Sequence, residues 1–335
     1  MQYWGWVMRV LITGAAGFIG SHLVSALLRR GQLIGAAGKP QGIDELVLAD
    51  TMPIVRTGAA GNIPIRTEIG DVCDPAFLRR LVGPGVDSVF HLAATLTIEA
   101  EENFARGLEV NVHGLMQLLE LCRAQARAPR FVFASSIASF GGPLPKTVDD
   151  TVAQTPQTSY GTHKAIVELL LNDYSRHGFI DARALRLPFV LIRPGASTPA
   201  VSDRVAAIVR EPLLGRDIAC PLAPETLIPV ASARRVATAL LALHDLPAAS
   251  FGHTRAMNLP SLTVSVGEMV EALQRFGRTR RLGRVSWQPE ARLQAVVDGW
   301  PGRFVSARAS SNGIGADADF DEIIRAFAED YLPAE

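Results

Sequence analysis

Cysteine is scarce in this chain: three residues in 335, Cys73, Cys122 and Cys220, an odd number with no CxxC pair. That argues against a disulfide framework and a structural zinc site, and it predicts a reducing compartment, the cytoplasm, with no metal. Net charge is missing too. Lysine and arginine total 33, as do aspartate and glutamate, so no global field favours nucleic acid or an anionic bilayer, and charge recognition must be local. No apolar run reaches the roughly 20 residues of a membrane span, since Arg9, Gly14, Gly17 and Gly20 interrupt the best candidate. The opening MQYWGWVMRVLITG has aromatic residues where an export signal carries its basic segment, so no signal is expected. Met8 is an alternative start, which would make residues 1–7 an extension. Lysine is as rare as cysteine, with only Lys39, Lys146 and Lys164.

What is present is apolar mass and alternation. Hydrophobic residues make up 48% of the chain, enough for a large core. Short apolar runs, RVLITG (9–14), ELVLAD (45–50), SVFHLAA (88–94), RFVFASS (130–136) and ARALRLPFVL (182–191), alternate with amphipathic stretches. That pattern predicts an α/β fold, a Rossmann-type doubly wound parallel sheet. Residues 103–125 read as one long helix, and TSYGTHKAIVELLLNDYSRHG as another that stops at Gly178. After Pro188 prolines and glycines increase. The expected division is a dinucleotide-binding domain over 1–188, rejoined by about 228–262, and a smaller discontinuous substrate domain from 189–227 and 263–335. RAMNLP (255–260) is a candidate last strand, and the arginine-rich RFGRTRRLGR (275–284) reads as a solvated loop.

Gly14, Gly17 and Gly20 in TGAAGFIG follow a strand and open a helix. Dinucleotide binding needs that spacing: a sharp turn, close approach of backbone to a pyrophosphate, and tight packing of helix on sheet, with free N–H groups at the helix N-terminus. Asp50, closing LVLAD, is the acid expected to accept hydrogen bonds from a ribose 2′-hydroxyl and repel a 2′-phosphate, which favours NAD over NADP. It lies further along the chain than the usual roughly 20 residues, because GQLIGAAGKPQGID intervenes and reads as a surface excursion.

TGAAGFIG, GDV (70–72), HLAA (91–94), Asn111, SSIASFGG (135–142) and YGTHK (160–164) together resemble the extended short-chain dehydrogenase/reductases, the group that includes nucleotide-sugar epimerases and dehydratases. Positions 160 and 164 lie about one turn apart on one helix face. A free phenol titrates near 10, and bringing it to about 7 takes roughly 4 kcal/mol, for which a neighbouring ammonium has the right sign. Tyr160 is therefore the expected base and Lys164 the residue that lowers it. Ser136, at a strand end, would hold the substrate oxygen; Ser135 is the alternative, since adjacent strand residues face opposite ways.

The resemblance further implies that Phe18, Ile19 and Pro188 border the cofactor. It sets Asp71 and Val72 beside the adenine, Leu92 and Ala93 beside the diphosphate and ribose, and Asn111 ordering a water near Lys164, which would bind the nicotinamide ribose. A homodimer through the 103–125 and Tyr160 helices is common in the group.

Beyond these motifs, residues 141–188, IRPG (192–195), VREPLLG (209–215), CPLAP (220–224) and GWPGRF (299–304) are similar to the D-erythronate dehydrogenases, which oxidise a small sugar acid at C2 with NAD. A carboxylate substrate calls for a cation. Arg193 is the first candidate, Arg204 and Arg210 are unranked, and Arg186 reads as a structural ion pair. Thr95, Ser139 and Thr158 are candidates for sugar hydroxyls, with local turn or cap bonds as the alternative. His91 reads as structural and His163 as exposed. The competing functions are a nucleotide-sugar epimerase or dehydratase holding its NAD tightly, and a dinucleotide-binding redox regulator.

Overall fold

The computed structural model describes residues 7–54, 63–83, 85–195, 200–277 and 280–333. The readings that fall on residues 1–6, on 196–199 and on 278–279 of the arginine run lie outside them.

Two compact units emerge, the first from Met1–Ser135, His163–Leu185 and Ala237–Ala256, the second from Ser136–Thr162, Arg186–Val236 and Met257–Glu335. The first is built on β1 (Arg9–Thr13), β2 (Glu45–Asp50), β3 (Ile65–Ile69), β4 (Ser88–His91), β5 (Arg130–Ser136), β6 (Asp181–Leu187) and β7 (Ala256–Asn258). These form a seven-stranded sheet in the order β7-β6-β5-β4-β1-β2-β3. β1 runs parallel to β2 and β4, β2 to β3, and β4 to β5. β1 is buried from Val10 to Thr13, β4 throughout and β5 from Phe131 to Ser135. Such continuous burial is what covering both faces of a parallel sheet requires. Chain growth reverses between β1 and β4, so their C-terminal ends mark the switch point where such sheets bind ligands.

The covering helices include α1 (Phe18–Arg30), α2 (Pro75–Val82), α3 (Leu115–Arg123), α4 (Ser159–Arg176) and α5 (Ala233–Asp245). α2 starts as its sequence dictates, with Pro75 in the first turn and the Asp74 carboxylate accepting from the Ala76 N–H at 2.8 Å. Phe77, Leu81, Leu115, Leu118, Phe131, Val167 and Leu171 share one core.

Two local differences from the sequence reading have physical causes, and a third stretch, the expected surface excursion, takes a defined form. The expected single helix over 103–125 is Phe104–Leu108, a π turn at Glu109–Gly114, and then α3. The stretch 182–191 is divided at Pro188, which has no N–H for a ladder; Phe189–Leu191 pairs instead with Leu227–Ser232. The intervening GQLIGAAGKPQGID is an antiparallel hairpin, Gln32–Ile34 against Pro40–Gly42. It is pinned by Ile34 N–H donating to Asp245 Oδ1 at 2.9 Å and Arg130 Nη1 donating to the Ile34 carbonyl at 2.5 Å.

In the second unit, Leu227–Ser232 also pairs antiparallel with Leu262–Ser265, and helices Val201–Leu213, Val266–Phe276 and Phe320–Tyr331 share a core with these strands. Residues 136–162 group here because Phe140 meets Phe304 edge-on at 5.8 Å and Val148 bridges Phe304. Arg275 and Arg284 of the arginine run pair with Asp321 and Asp217. Among the described residues, no helix is long and apolar enough to cross a membrane.

Candidate active site

β1 ends at Thr13 and the chain turns at Gly14 with φ of 72°, a left-handed conformation that favours glycine. A Cβ on Gly14 would lie 2.7 Å from the Ala93 nitrogen and 2.8 Å from the Leu92 carbonyl carbon; one on Gly20 would lie 2.1 Å from the Gly14 oxygen. The fold thus brings Gly14, Leu92 and Ala93 together and leaves a cradle that any side chain would fill. Gly17 caps α1 without a side-chain bond, no acid sits in the first turn, and Phe18 and Ile19 begin the helix. The arrangement fits a diphosphate. Asp50 lies at the end of β2, where Oδ2 accepts from Ala16 N–H at 2.9 Å and Oδ1 from Met52 N–H at 3.0 Å. A carboxylate has about four acceptor positions, so capacity for ribose hydroxyls remains.

Further along, Asp71 accepts from Cys73 N–H at 2.9 Å and pairs with Arg106. Burial would raise its carboxyl, but the Cys73 N–H and the Arg106 guanidinium outweigh that and hold it below its ordinary value. Val72 beside it is buried.

Asn111 sits in the π turn, the kind of one-turn distortion often found at functional sites. Its Oδ1 accepts from Thr95 N–H at 2.9 Å, its Nδ2 donates to the Thr95 carbonyl at 3.2 Å, and Nδ2 lies 3.3 Å from His163 Nδ1. Its amide is thus held by three protein contacts. His163, expected exposed, is 2% exposed. Gly107 makes the room: a Cβ there would come within 3.3 Å of the His163 ring, which also packs on Phe104. Thr95 Oγ1 is buried with no partner among the described residues. His91 is structural as expected, its Nδ1 2.8 Å from Thr13 Oγ1 and its ring pushed down to about 3 by burial and then by Lys164.

Lys164 is 4% exposed, donates from Nζ to the Ala134 carbonyl at 2.8 Å and lies 4.4 Å from the Phe133 ring centre. Desolvation takes it down to about 7, with Glu168 opposing. The two adjacent serines at the end of β5 face different partners, as strand alternation requires. Ser135 Oγ turns to Glu168, whereas Ser136 Oγ accepts from Ala138 N–H at 3.1 Å and is hydrogen-bonded to Tyr160.

Tyr160 opens α4, whose start is set by Thr158 Oγ1 accepting from Gly161 N–H at 3.1 Å. A Cβ on Gly161 would lie 1.9 Å from the Ala138 oxygen, so glycine here lets the helix approach the Ser136 turn. The phenol departs from the sequence expectation of a lowered value. Burial pushes it up to about 12 against the opposing Ser136 bond; the neighbouring helix position holds a lysine whose own charge is disfavoured by burial.

Ser139 is fully buried and donates to the Ser136 carbonyl at 2.9 Å, a turn bond. Pro188 joins β6 to Phe189–Leu191. Arg210 is buried with Asp203 and Glu211, and Arg204 pairs with Glu290. Arg186 is buried, donates to Asn258 Oδ1 at 3.2 Å and lies over Phe140. Arg193 is exposed, and its side chain has no partner among the described residues. Sequence reasoning passed over Glu168, although Tyr160, Lys164 and Glu168 share a four-residue spacing.

Residues 10–253 match the NAD dependent epimerase/dehydratase family. The chain is 44% identical to a D-erythronate dehydrogenase of Cupriavidus necator, over 96% of this chain and 98% of that protein. It is 36% identical to one of Haemophilus influenzae, over 96% and 99%. Among solved structures, one described as a nucleoside-diphosphate-sugar epimerase from Agrobacterium tumefaciens matches with a TM-score of 0.89 and 35% identity, covering 97% of this chain and 95% of that one.

Proposed function

The chain belongs to the NAD dependent epimerase/dehydratase family, and on that premise we propose that it is an NAD-dependent dehydrogenase that oxidises D-erythronate, or a close four-carbon relative, at C2 to the 2-oxo acid. The observation that carries this reading is the Ser136–Tyr160 hydrogen bond at the head of the helix bearing Lys164, taken with full-length similarity to two D-erythronate dehydrogenases.

Ser136 and Tyr160 present two hydroxyls that hold the C2 hydroxyl, and the proton passes to the Tyr160 oxygen. NAD, when bound, supplies the acceptor for the hydride leaving C2. Gly14, Gly17, Phe18, Ile19 and Gly20 would hold its diphosphate, Asp50 its adenosine ribose, Asp71 and Val72 its adenine, and Leu92, Ala93 and Pro188 its flanks. Lys164 would hold its nicotinamide ribose. Burial raises the phenol to about 12 and the Ser136 bond opposes it, so the positive charge of Lys164 one turn on has the sign that activation needs. The Thr95 hydroxyl, buried and without a partner among the described residues, is a hydrogen-bonding group for the sugar chain. Arg193 is the cation for the carboxylate, since Arg204 and Arg210 are committed to carboxylates of the protein. Ser139 lines the turn below Ser136.

Exposed Phe104, Met116 and Leu169 (61%, 38% and 68%) support a homodimer, which sedimentation at micromolar concentration decides. Free Cys73, Cys122 and Cys220 support a cytoplasmic site, testable by fractionation.

The A. tumefaciens neighbour favours a second reading, a nucleotide-sugar epimerase. A panel of four- to six-carbon aldonic and uronic acids with NAD or NADP, read as nicotinamide reduction, separates the two. D-Erythronate with NAD should be fastest, and Tyr160→Phe should lower kcat by roughly 100- to 10,000-fold. No turnover of any acid, together with conversion of a nucleotide sugar, would sink the proposal.

A further inference from the structure

Glu168 is a carboxylate 3% exposed, with no part in the reaction as derived so far. It follows Lys164 by one helical turn, as Lys164 follows Tyr160, so it lies on the same face. Ser135 Oγ donates to Glu168 Oε1, and the preceding residue, Ala134, accepts from Lys164 Nζ. One dipeptide at the end of β5 thus grips both side chains. Burying a carboxylate is costly unless it is paired and hydrogen-bonded, and here a hydroxyl donor and a nearby cation meet it together.

We propose that Glu168 is a positioning residue: fixed by Ser135, it keeps Lys164 charged and aimed. The proposal deepens the reading of Tyr160 as base, on which its relevance to the reaction rests. The groups around Lys164 set what the charge must withstand. β5 contributes the Ala134 carbonyl and the Phe133 ring. β4 contributes His91, which is held neutral, and α4 itself contributes His163 and Glu168. Burial works against the ammonium and Glu168 works for it.

The test compares wild type, Glu168→Gln and Glu168→Asp without ligand, by thermal midpoint across pH. In the wild type Lys164 titrates at about 7 when folded, so its stability penalty stops growing below that pH. With Gln at 168 the folded lysine titrates lower, and the penalty continues to grow. The Gln variant should therefore fall progressively further behind wild type as pH drops from about 7 towards 6. Glu168→Asp keeps the charge and should trail by a constant margin. In activity, the alkaline limb of kcat/KM should move down by about one pH unit for Gln and stay put for Asp. A Gln margin that is constant with pH overturns the proposal. A wild type inert towards every sugar acid overturns the proposed function instead, and the stability comparison still decides the role of Glu168.

Discussion

Asp50 shows how much one residue at a strand end can determine. Its two oxygens accept from Ala16 and Met52 N–H groups, so it ties the glycine turn to β2. A hydrogen bond to a charged group contributes about 1.5–3 kcal/mol, which predicts that Asp50→Ala raises the NAD dissociation constant roughly 10- to 100-fold and narrows the preference over NADP. Fluorescence titration with both nucleotides measures this. An unchanged ratio would remove Asp50 from cofactor choice. The place of Asp50 at the end of β2 was legible because it closes an apolar run. Ser136 was only half legible: alternation showed that Ser135 and Ser136 must differ, but the Tyr160 and Glu168 partners that tell them apart are distant in sequence. His163 was illegible because its burial depends on Gly107 and Phe104, more than fifty residues earlier.

Among the elements, the β1–Gly14–α1 unit is the one that local rules specified most fully. Its turn, its uncapped helix N-terminus and the approach of Gly20 to Gly14 follow from residues 9–30, and the structure adds the closeness of Gly14 to Leu92 and Ala93. With a Cβ on Gly20 placed 2.1 Å from backbone oxygen, no rotamer relieves the clash, so α1 must shift away from β1. Gly20→Ala should therefore cost about 1–3 kcal/mol, as overpacking does, and weaken NAD binding in the same variant. Urea denaturation with and without NAD reads both effects; undiminished stabilisation by NAD would contradict the cradle. The π turn at Glu109–Gly114 is the opposite case. Its sequence has ordinary helical periodicity, and the extra residue is accommodated because Asn111 finds Thr95 and His163, partners that periodicity does not reveal.

At the scale of the whole molecule, the parallel sheet was readable because continuous apolar strands leave few alternatives. The grouping of 136–162 was not, because it depends on Phe304 far along the chain. The sheet also sets how the protein responds to acid. His244 is fully buried, with Nδ1 2.8 Å from Asp245 Oδ1 and Nε2 2.8 Å from Ser88 Oγ. A neutral ring that donates from Nδ1 to the carboxylate and accepts at Nε2 satisfies both contacts. Burial pushes it down to about 4 despite Asp245, and pushes His91 to about 3. Unfolded histidine titrates near 6.5, so between there and those lower values the unfolded chain binds protons that the folded chain refuses, and stability must fall with pH. The thermal midpoint should therefore drop steeply from about pH 6.5 towards pH 4, before most carboxylates protonate. His244→Asn, which removes one titrating ring while keeping a side chain able to donate and accept, should be less stable at pH 7.5. It should nonetheless lose about one proton of slope across that window. An acid slope equal to that of wild type would mean that His244 does not carry this dependence.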